Sequence, residues 1–395
     1  MTRVRACMPL VWMLAAACGG ADAEPLGVAT IDTLPGGIPS VMSDGPTAWR
    51  DTSGWRLVED GALEGELGAA GELIDPQAMA VDGRGFVYVG DTDPAIIKVF
   101  DPSGAFVRTI GGEGEGPGEF RTAFVAVRDH LVLVHDPRLA RASLYDTAGT
   151  FLRSWATACC YWNIPGLDAQ YRASIPGMNT PEMNAHVVYL RFDTLGTPID
   201  TLLVPDKPDG ATWTLSQGTQ MRMMTWVPFS EQGFTALDPR GGVLHGWTGD
   251  YEVIASRDGR DTTRIFGRRW TPEPLADARR DAEYEQRVAE TARGMEIDEV
   301  TVRNSFDKSL IPSTLPAIAG VAVDLDGNTW VMRDADSLQT RFDVFDPSGV
   351  LLGEVRAPGE ISTWRTAWGR GVMYSRIDTE EGLPRIVRFR IERPS

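Results

Sequence analysis

Three stretches of this chain repeat one another: KVFDPSGAFVRTI at 98–110, SLYDTAGTFLRSW at 143–155 and DVFDPSGVLLGEV at 343–355. Each is an apolar run ending in an aromatic residue and Asp, then a short turn with Gly, then a second run. Apolar and polar residues alternate within the runs, which is the period of a strand. The Asp and Gly between them supply turn chemistry, so each stretch reads as a β-hairpin. YLRFDTLGTPIDTLLV and YEVIASRDGRDTTRIF are looser copies. Ahead of these hairpins lie further pairs of short strands, clearest in AMAVDGRGFVYVGD (78–91) and GVAVDLDGNTWVMRD (320–334). A unit of four short strands cannot bury both of its faces alone. A chain that repeats it must therefore pack its copies against one another.

Units start near Gln77, Phe124, Cys160, Gln232, Ile318 and Ser362, which gives six. Six four-stranded units arranged radially make an all-β fold, a six-bladed β-propeller. The last unit has WRTAWGRGVMYSRID and RIVRFRIERP and then ends, one strand short. GWRLVEDG at 54–61 is a spare strand. The sequence therefore predicts a ring closed by an N-terminal strand, with residues near Trp55–Glu59 pairing with residues near Ile386–Ile391. Closure removes edges that would otherwise invite aggregation.

The glycine-rich TIGGEGEGPGEF (109–120) could suggest a phosphate loop. No Gly there sits at i, i+2 and i+5, no Gly-Lys-Ser/Thr follows, and strand-like sequence rather than a helix comes next. The repeat explains it instead. Gly-Glu-apolar recurs at Gly71–Leu73, Gly118–Phe120 and Gly359–Ile361, each between one unit and the next. The apolar residue is expected to plug the space between blades, with the glutamates in solvent. One segment breaks the β pattern. TPEPLADARRDAEYEQRVAETARGMEID (271–298) opens on Thr-Pro and carries apolar residues at helical spacing, so one inserted helix is expected between blades 4 and 5. Residues around Thr212–Gly233 form another long insertion, and long loops on a rigid scaffold are where function concentrates.

GEGPGEF, MAVDGRGFVYVGDTDPAIIKVFDPSGAFVRTIG and GVAVDLDGNTWVMRDADSLQTRFDVFDPSGVLLGEV together resemble the NHL-repeat and related six-bladed β-propellers, in particular exported bacterial ones. The resemblance covers most of 55–393 and is strongest in blades 1, 2 and 5. It implies the fold. It also implies two possible chemistries, a zinc-dependent lyase or a calcium-dependent lactonase centred on the channel, without assigning any ligand to a particular residue here.

The N-terminus reads as a targeting segment. Two arginines precede the apolar run ACMPLVWMLAAA, right for a signal peptide and too short to span a bilayer. Small residues before Cys18, followed by Gly19 and Gly20, resemble a bacterial lipobox; ADA at 21–23 offers an ordinary cleavage site instead. The expected organisation is a signal peptide at 1–17, a lipid-anchored or flexible tether at 18–53 carrying lipid on Cys18, and the propeller at 54–395. Both cleavage readings place the protein outside the cytoplasm, in the cell envelope, the periplasm or the medium. The formal charge of −17 argues against nucleic-acid binding, which needs Lys and Arg to displace counterions. The membrane is expected only through the lipid anchor, and the protein as a monomer.

Candidate chemistry is sparse. Cys159 and Cys160 are adjacent and read either as buried small hydrophobes or as a vicinal disulfide. The four histidines, at 130, 135, 186 and 245, form no metal-binding spacing. Asp324–Asn328 lacks the Gly and Glu positions of an EF-hand loop and reads as a β-turn. No Gly-x-Ser-x-Gly elbow is present. No cofactor is expected; the alternative is calcium or zinc on the ring axis. The first functional expectation is a binding or scaffold protein for a protein, peptide or glycan, with Tyr161, Trp162, His186, Trp226 and His245 as the candidate ligand face. The alternative is a channel-centred metal-dependent hydrolase or lyase.

Overall fold

The structure is a computed structural model that describes residues 29–44, 47–49, 54–158, 163–178, 187–204, 210–217, 220–335, 338–379 and 382–393. Six four-stranded antiparallel units follow one another in chain order. From inner to outer strand, blade 1 spans 76–110, blade 2 124–156, blade 3 166–203, blade 4 233–268 and blade 5 320–358. Blade 6 takes three strands from 366–392 and its outermost strand from Arg56–Ala62. Leu57 pairs with Ile391 and Glu59 with Phe389, so the ring closes through the N-terminal strand where the sequence places it.

The turn aspartates show why these residues form hairpins. The N–H groups of Ser103 and Ala105 donate to Asp101 Oδ1 at 2.8 and 3.1 Å. Ala148 and Thr150 do the same to Asp146, and Ser348 and Val350 to Asp346. The carboxylate satisfies two N–H groups of its own turn, and a glycine at positive φ (Gly104, Gly149, Gly349) completes the reversal. Backbone donors hold the Asp146 carboxyl below its ordinary pKa.

Packing lies between the blades. Phe120 is buried in a cluster that joins Tyr88 and Ile97 of blade 1 to Phe124, Val132 and Tyr145 of blade 2. Leu73 sits between blades 6 and 1, and Ile361 between blades 5 and 6. The Gly-Glu-apolar motif is thus an interblade plug, and Glu113, Glu115 and Glu119 are exposed as expected.

Three features differ from the sequence reading. First, part of the expected tether is folded: Thr30–Leu34 and Ile38–Ser43 form a hairpin whose second strand pairs in parallel with the outer strand of blade 4. Gly36 and Gly37, both at positive φ, make its turn. The run IPSVMS then buries Val41 against Phe266 and Leu351, so apolar burial overrides the Gly- and Pro-rich surroundings. Second, the inner strand of blade 3 is Gly166–Leu167, later than Cys160. Third, the inserted helix α1 is Asp277–Met295, and a second helix, α2 (Glu299–Ser305), follows it. Glu296 at φ 54 ends α1, and Asp298 caps α2 by accepting from Thr301 N at 2.9 Å.

Candidate functional site

The inner strands occupy the free ends of their sheets. Each therefore turns one unpaired backbone edge toward the ring axis. They surround a cavity of about 410 Å³ that touches all six blades. Met79, Val125, Leu167, Ala236 and Val321 contribute one wall position from each of blades 1 to 5, and Ala367 and Trp368 contribute two from blade 6. The walls are mostly apolar. Among the described residues, no three His, Cys, Asp or Glu side chains come together as a metal-holding group.

Strand direction gives the ring two different faces. Inner strands begin, and interblade connections arrive, on one face. The turns from inner to second strand lie on the other. That turn face carries an arginine at the end of the inner strand or in the turn after it in five blades: Arg84, Arg128, Arg172, Arg240 and Arg370. Arg84 is paired with Asp82, Arg172 with Asp168 and Arg240 with Asp238, at 2.8, 2.7 and 2.7 Å, and Arg370 lies 3.8 Å from Asp326. Arg128 differs. Its Nη1 donates to the carbonyl of Pro239 at 2.8 Å, reaching from blade 2 to the blade 4 turn that lines the cavity.

The connection face carries the insertions. Between blades 3 and 4, Thr212–Gln217 and Gln220–Trp226 form a separate hairpin. Between blades 4 and 5 come α1 and α2. The two insertions share one core: Trp213 stacks on Phe306 at 4.6 Å, meets Tyr284 edge-on, and donates its indole N–H to the Asp307 carbonyl at 2.8 Å. An ion network fixes this unit to the ring. Glu273 receives Arg333 and Arg341, and Arg279 holds Asp334 at 2.8 Å. Arg341 and Arg333 hold the Glu273 carboxyl below its ordinary range. On the hairpin, Trp213 and Leu215 face inward, while Met224 and Trp226 stand 59% and 48% exposed.

The recurring aspartates after the second strands act as clamps. Asp91 accepts from the N–H groups of Ile74 and Asp75 at 3.0 and 2.7 Å and from Lys98 at 2.8 Å, which ties the incoming connection to blade 1. Asp136 does the same for Arg121 N at 2.7 Å.

The residues named from sequence do not form one site in the described structure. Trp226 is exposed on the insertion hairpin. His245 is 2% exposed within the second strand of blade 4, so it presents no ring to a ligand face. Its burial follows from the strand's place in the fold: both faces are packed, with Val243 and Leu244 each 1% exposed. Cys18, Cys159, Cys160, Tyr161, Trp162 and His186 lie outside the described residues. Sequence reasoning missed Arg128 and the insertion core. Arg at the inner turn could be read from VDGRG, LDPRG and WGRG, but the reach of Arg128 to another blade has no sequence signal.

No family model matches the chain, and no curated protein matches it. Among solved structures, it is similar to a "putative exported protein" of Bacteroides fragilis, with 14% identity, a TM-score of 0.47, and 85% of this chain and 95% of that one covered. A member of the DUF4221 family from Bacteroides vulgatus follows at 11% identity and TM-score 0.42, over 86% of this chain and 99% of that one. A catalytically inactive virginiamycin B lyase from Staphylococcus aureus with quinupristin has 9% identity and TM-score 0.40, over 86% and 100%. Likeness at this level carries no statement about function. The class of this protein, a six-bladed β-propeller sealed by its N-terminal strand, rests on its own strand pairing.

Proposed function

We propose that this chain is an exported, lipid-anchored binding protein, monomeric, whose protein, peptide or glycan partner meets the connection face of the ring. The leader and Cys18 support export and anchoring. Among the described residues, no helix is long and apolar enough to cross a membrane. The observation that carries the binding reading is the insertion unit. Two connections far apart in sequence build a shared core that ring closure does not require, and that core holds Met224 and Trp226 out to solvent. A rigid aromatic on a fixed hairpin contributes contact area at low entropic cost.

The test is site-specific photo-crosslinking in cells that export the protein, with a benzophenone amino acid at position 226 and, as control, at position 195, exposed in a turn on the opposite face. A discrete adduct from 226 and none from 195 supports the proposal. Equal labelling, or none from 226, removes it. Mass spectrometry of the mature N-terminus tests the anchor; an unmodified start at Glu24 would mean simple secretion. One equivalent of tightly held zinc or calcium in protein purified without chelator would favour the channel enzyme over the binding protein.

A further inference from the structure

We propose that the axial channel is a second, independent site, and that it takes an amphiphilic anion, a fatty carboxylate, entering from the turn face. The alkyl chain lies along the apolar wall and the carboxylate meets Arg128. Three observations converge on this class of ligand.

The cavity comes first. At about 410 Å³ it falls in the size range of small-molecule sites, about 300–1,000 Å³. Its half-buried lining side chains, Ala80, Val127, Leu237, Val321 and Val323, favour a hydrocarbon over a polar solute.

Charge at the turn-face mouth comes second. Two carboxylates line it, Asp168 and Asp238. Both are engaged. Asp168 accepts from Gln170 N, Arg172 N and Arg172 Nε at 2.9, 3.0 and 2.7 Å. Asp238 accepts from Arg240 N, Nε and Nη2 at 2.8, 2.9 and 2.7 Å. Each is neutralised by its own arginine.

Arg128 comes third. Among the described residues, it has no carboxylate within ion-pair distance, and its bond to the Pro239 carbonyl takes one of five N–H donors. A planar guanidinium with spare parallel donors matches a carboxylate bidentately. The neighbouring Asp129 is turned to Tyr171, whose hydroxyl donates to it at 2.7 Å, and it is exposed to solvent. Arg128 does not line the cavity itself, but its guanidinium sits on the Pro239 carbonyl, which does, so a cation without a carboxylate partner stands at the rim of a mostly apolar wall, the pattern of a fatty anion.

The test is direct titration of the purified full chain with dodecanoate, below its micelle concentration, followed by tryptophan fluorescence and calorimetry. The expected result is saturable one-to-one binding. Arg128→Gln, which keeps a donor for Pro239, should weaken dodecanoate about tenfold or more, the loss of a charge-assisted pair. Dodecanol should bind the wild type more weakly than dodecanoate and be indifferent to that change. Ala236→Phe, which adds bulk at a lining position, should abolish binding of both in protein whose circular dichroism and unfolding midpoint match the wild type. The proposal is overturned if dodecanoate fails to saturate the wild type, if dodecanol binds as well as dodecanoate, or if binding survives Ala236→Phe at wild-type strength. If Arg128→Gln does not fold, the dodecanol comparison and Ala236→Phe still decide. Crosslinking from position 226 is unaffected by either result, so this site and the connection-face partner stand or fall separately.

Discussion

Replacing Asp343 with Ala tests how far the seam between blades 4 and 5 depends on charge. Asp343 is fully buried at 0% exposure. Its Oδ2 accepts from the Tyr251 hydroxyl, from Arg268 Nη1 at 3.1 Å, and lies 3.5 Å from Arg333 Nη1. Its Oδ1 has no partner among the described residues. Burial and then the Asp343 charge raise the Tyr251 hydroxyl well above its ordinary pKa, so it stays a donor. Removing one partner of a buried pair costs about 3–5 kcal/mol, because the other charge is left uncompensated. Arg268 is about a third exposed and can turn to water; Arg333 is 9% exposed, and its remaining ion pair among the described residues is with Glu273. The orphaned Oδ1 already lowers what the native carboxylate contributes. The expected loss is therefore about 3 kcal/mol, the low end of that range. Asp343→Asn, which keeps volume and an acceptor for Tyr251, should cost about half as much. Guanidinium unfolding at pH 7, followed by circular dichroism, reads both as shifts in midpoint with an unchanged slope. An Asp343→Ala midpoint within about 0.5 kcal/mol of wild type would refute the reasoning, since it would mean that the seam guanidiniums are solvated well enough to need no counterion.

Three other outcomes follow from the packing. His135 is 0% exposed, neither ring nitrogen has a hydrogen-bond partner among the described residues, and burial lowers its pKa from 6.5 to about 4 against a smaller opposing effect of Asp136. The unfolded chain takes up a proton at 6.5 that the folded chain refuses, so stability is full above that pH and falls by about 3 kcal/mol as pH drops toward 4. His135→Leu should remove that part of the acid sensitivity in denaturation curves at pH 7 and 4.5, and an unchanged difference would count against a neutral buried ring. Phe120→Ala should cost about 3–5 kcal/mol by opening a cavity between blades 1 and 2, measured by thermal unfolding; a loss under about 1 kcal/mol would show that the motif does not plug the seam. Deleting residues through Asp60 should expose the edge of 384–392 and give aggregated protein on size exclusion, whereas a monodisperse product would show that the ring does not need its N-terminal strand.

The ring was legible because its signals are local. Phe100-Asp101, Tyr145-Asp146 and Phe345-Asp346 mark hairpins, since each aspartate bonds within its own turn. Leu73, Phe120 and Ile361 mark seams because they recur at one place in the repeat. The missing strand of blade 6 and the spare one at 54–61 reveal each other by simple counting. The rest depends on contacts distant in sequence. Nothing around IPSVMS indicates that it will pair with 265–268, and Arg128 meets Pro239 111 residues away. Trp213 and Phe306 read as unremarkable apolar residues until two insertions bring them together. The candidate ligand face fared by the same rule: Trp226, in an insertion, is exposed, whereas His245, in a regular strand, is buried.

Closure by the N-terminal strand also fixes the order in which the molecule can mature. Arg56–Ala62 leaves a ribosome or an export channel ahead of blade 1, and its sheet partner, Pro384–Glu392, follows blade 5. Blades 1 to 5 are each complete within contiguous sequence and can form as they emerge. Blade 6 cannot. For nearly the whole passage, the nascent protein is an open arc with two unsatisfied edges, and the closing step joins residues at the greatest sequence separation in the fold, where loop entropy makes assembly slowest. A premature stop in the final strand therefore releases an arc that has already committed most of its hydrophobic surface yet has no means of shutting. Moving 54–62 to the C-terminus by circular permutation would make the last step local and should shorten the interval during which the chain needs protection.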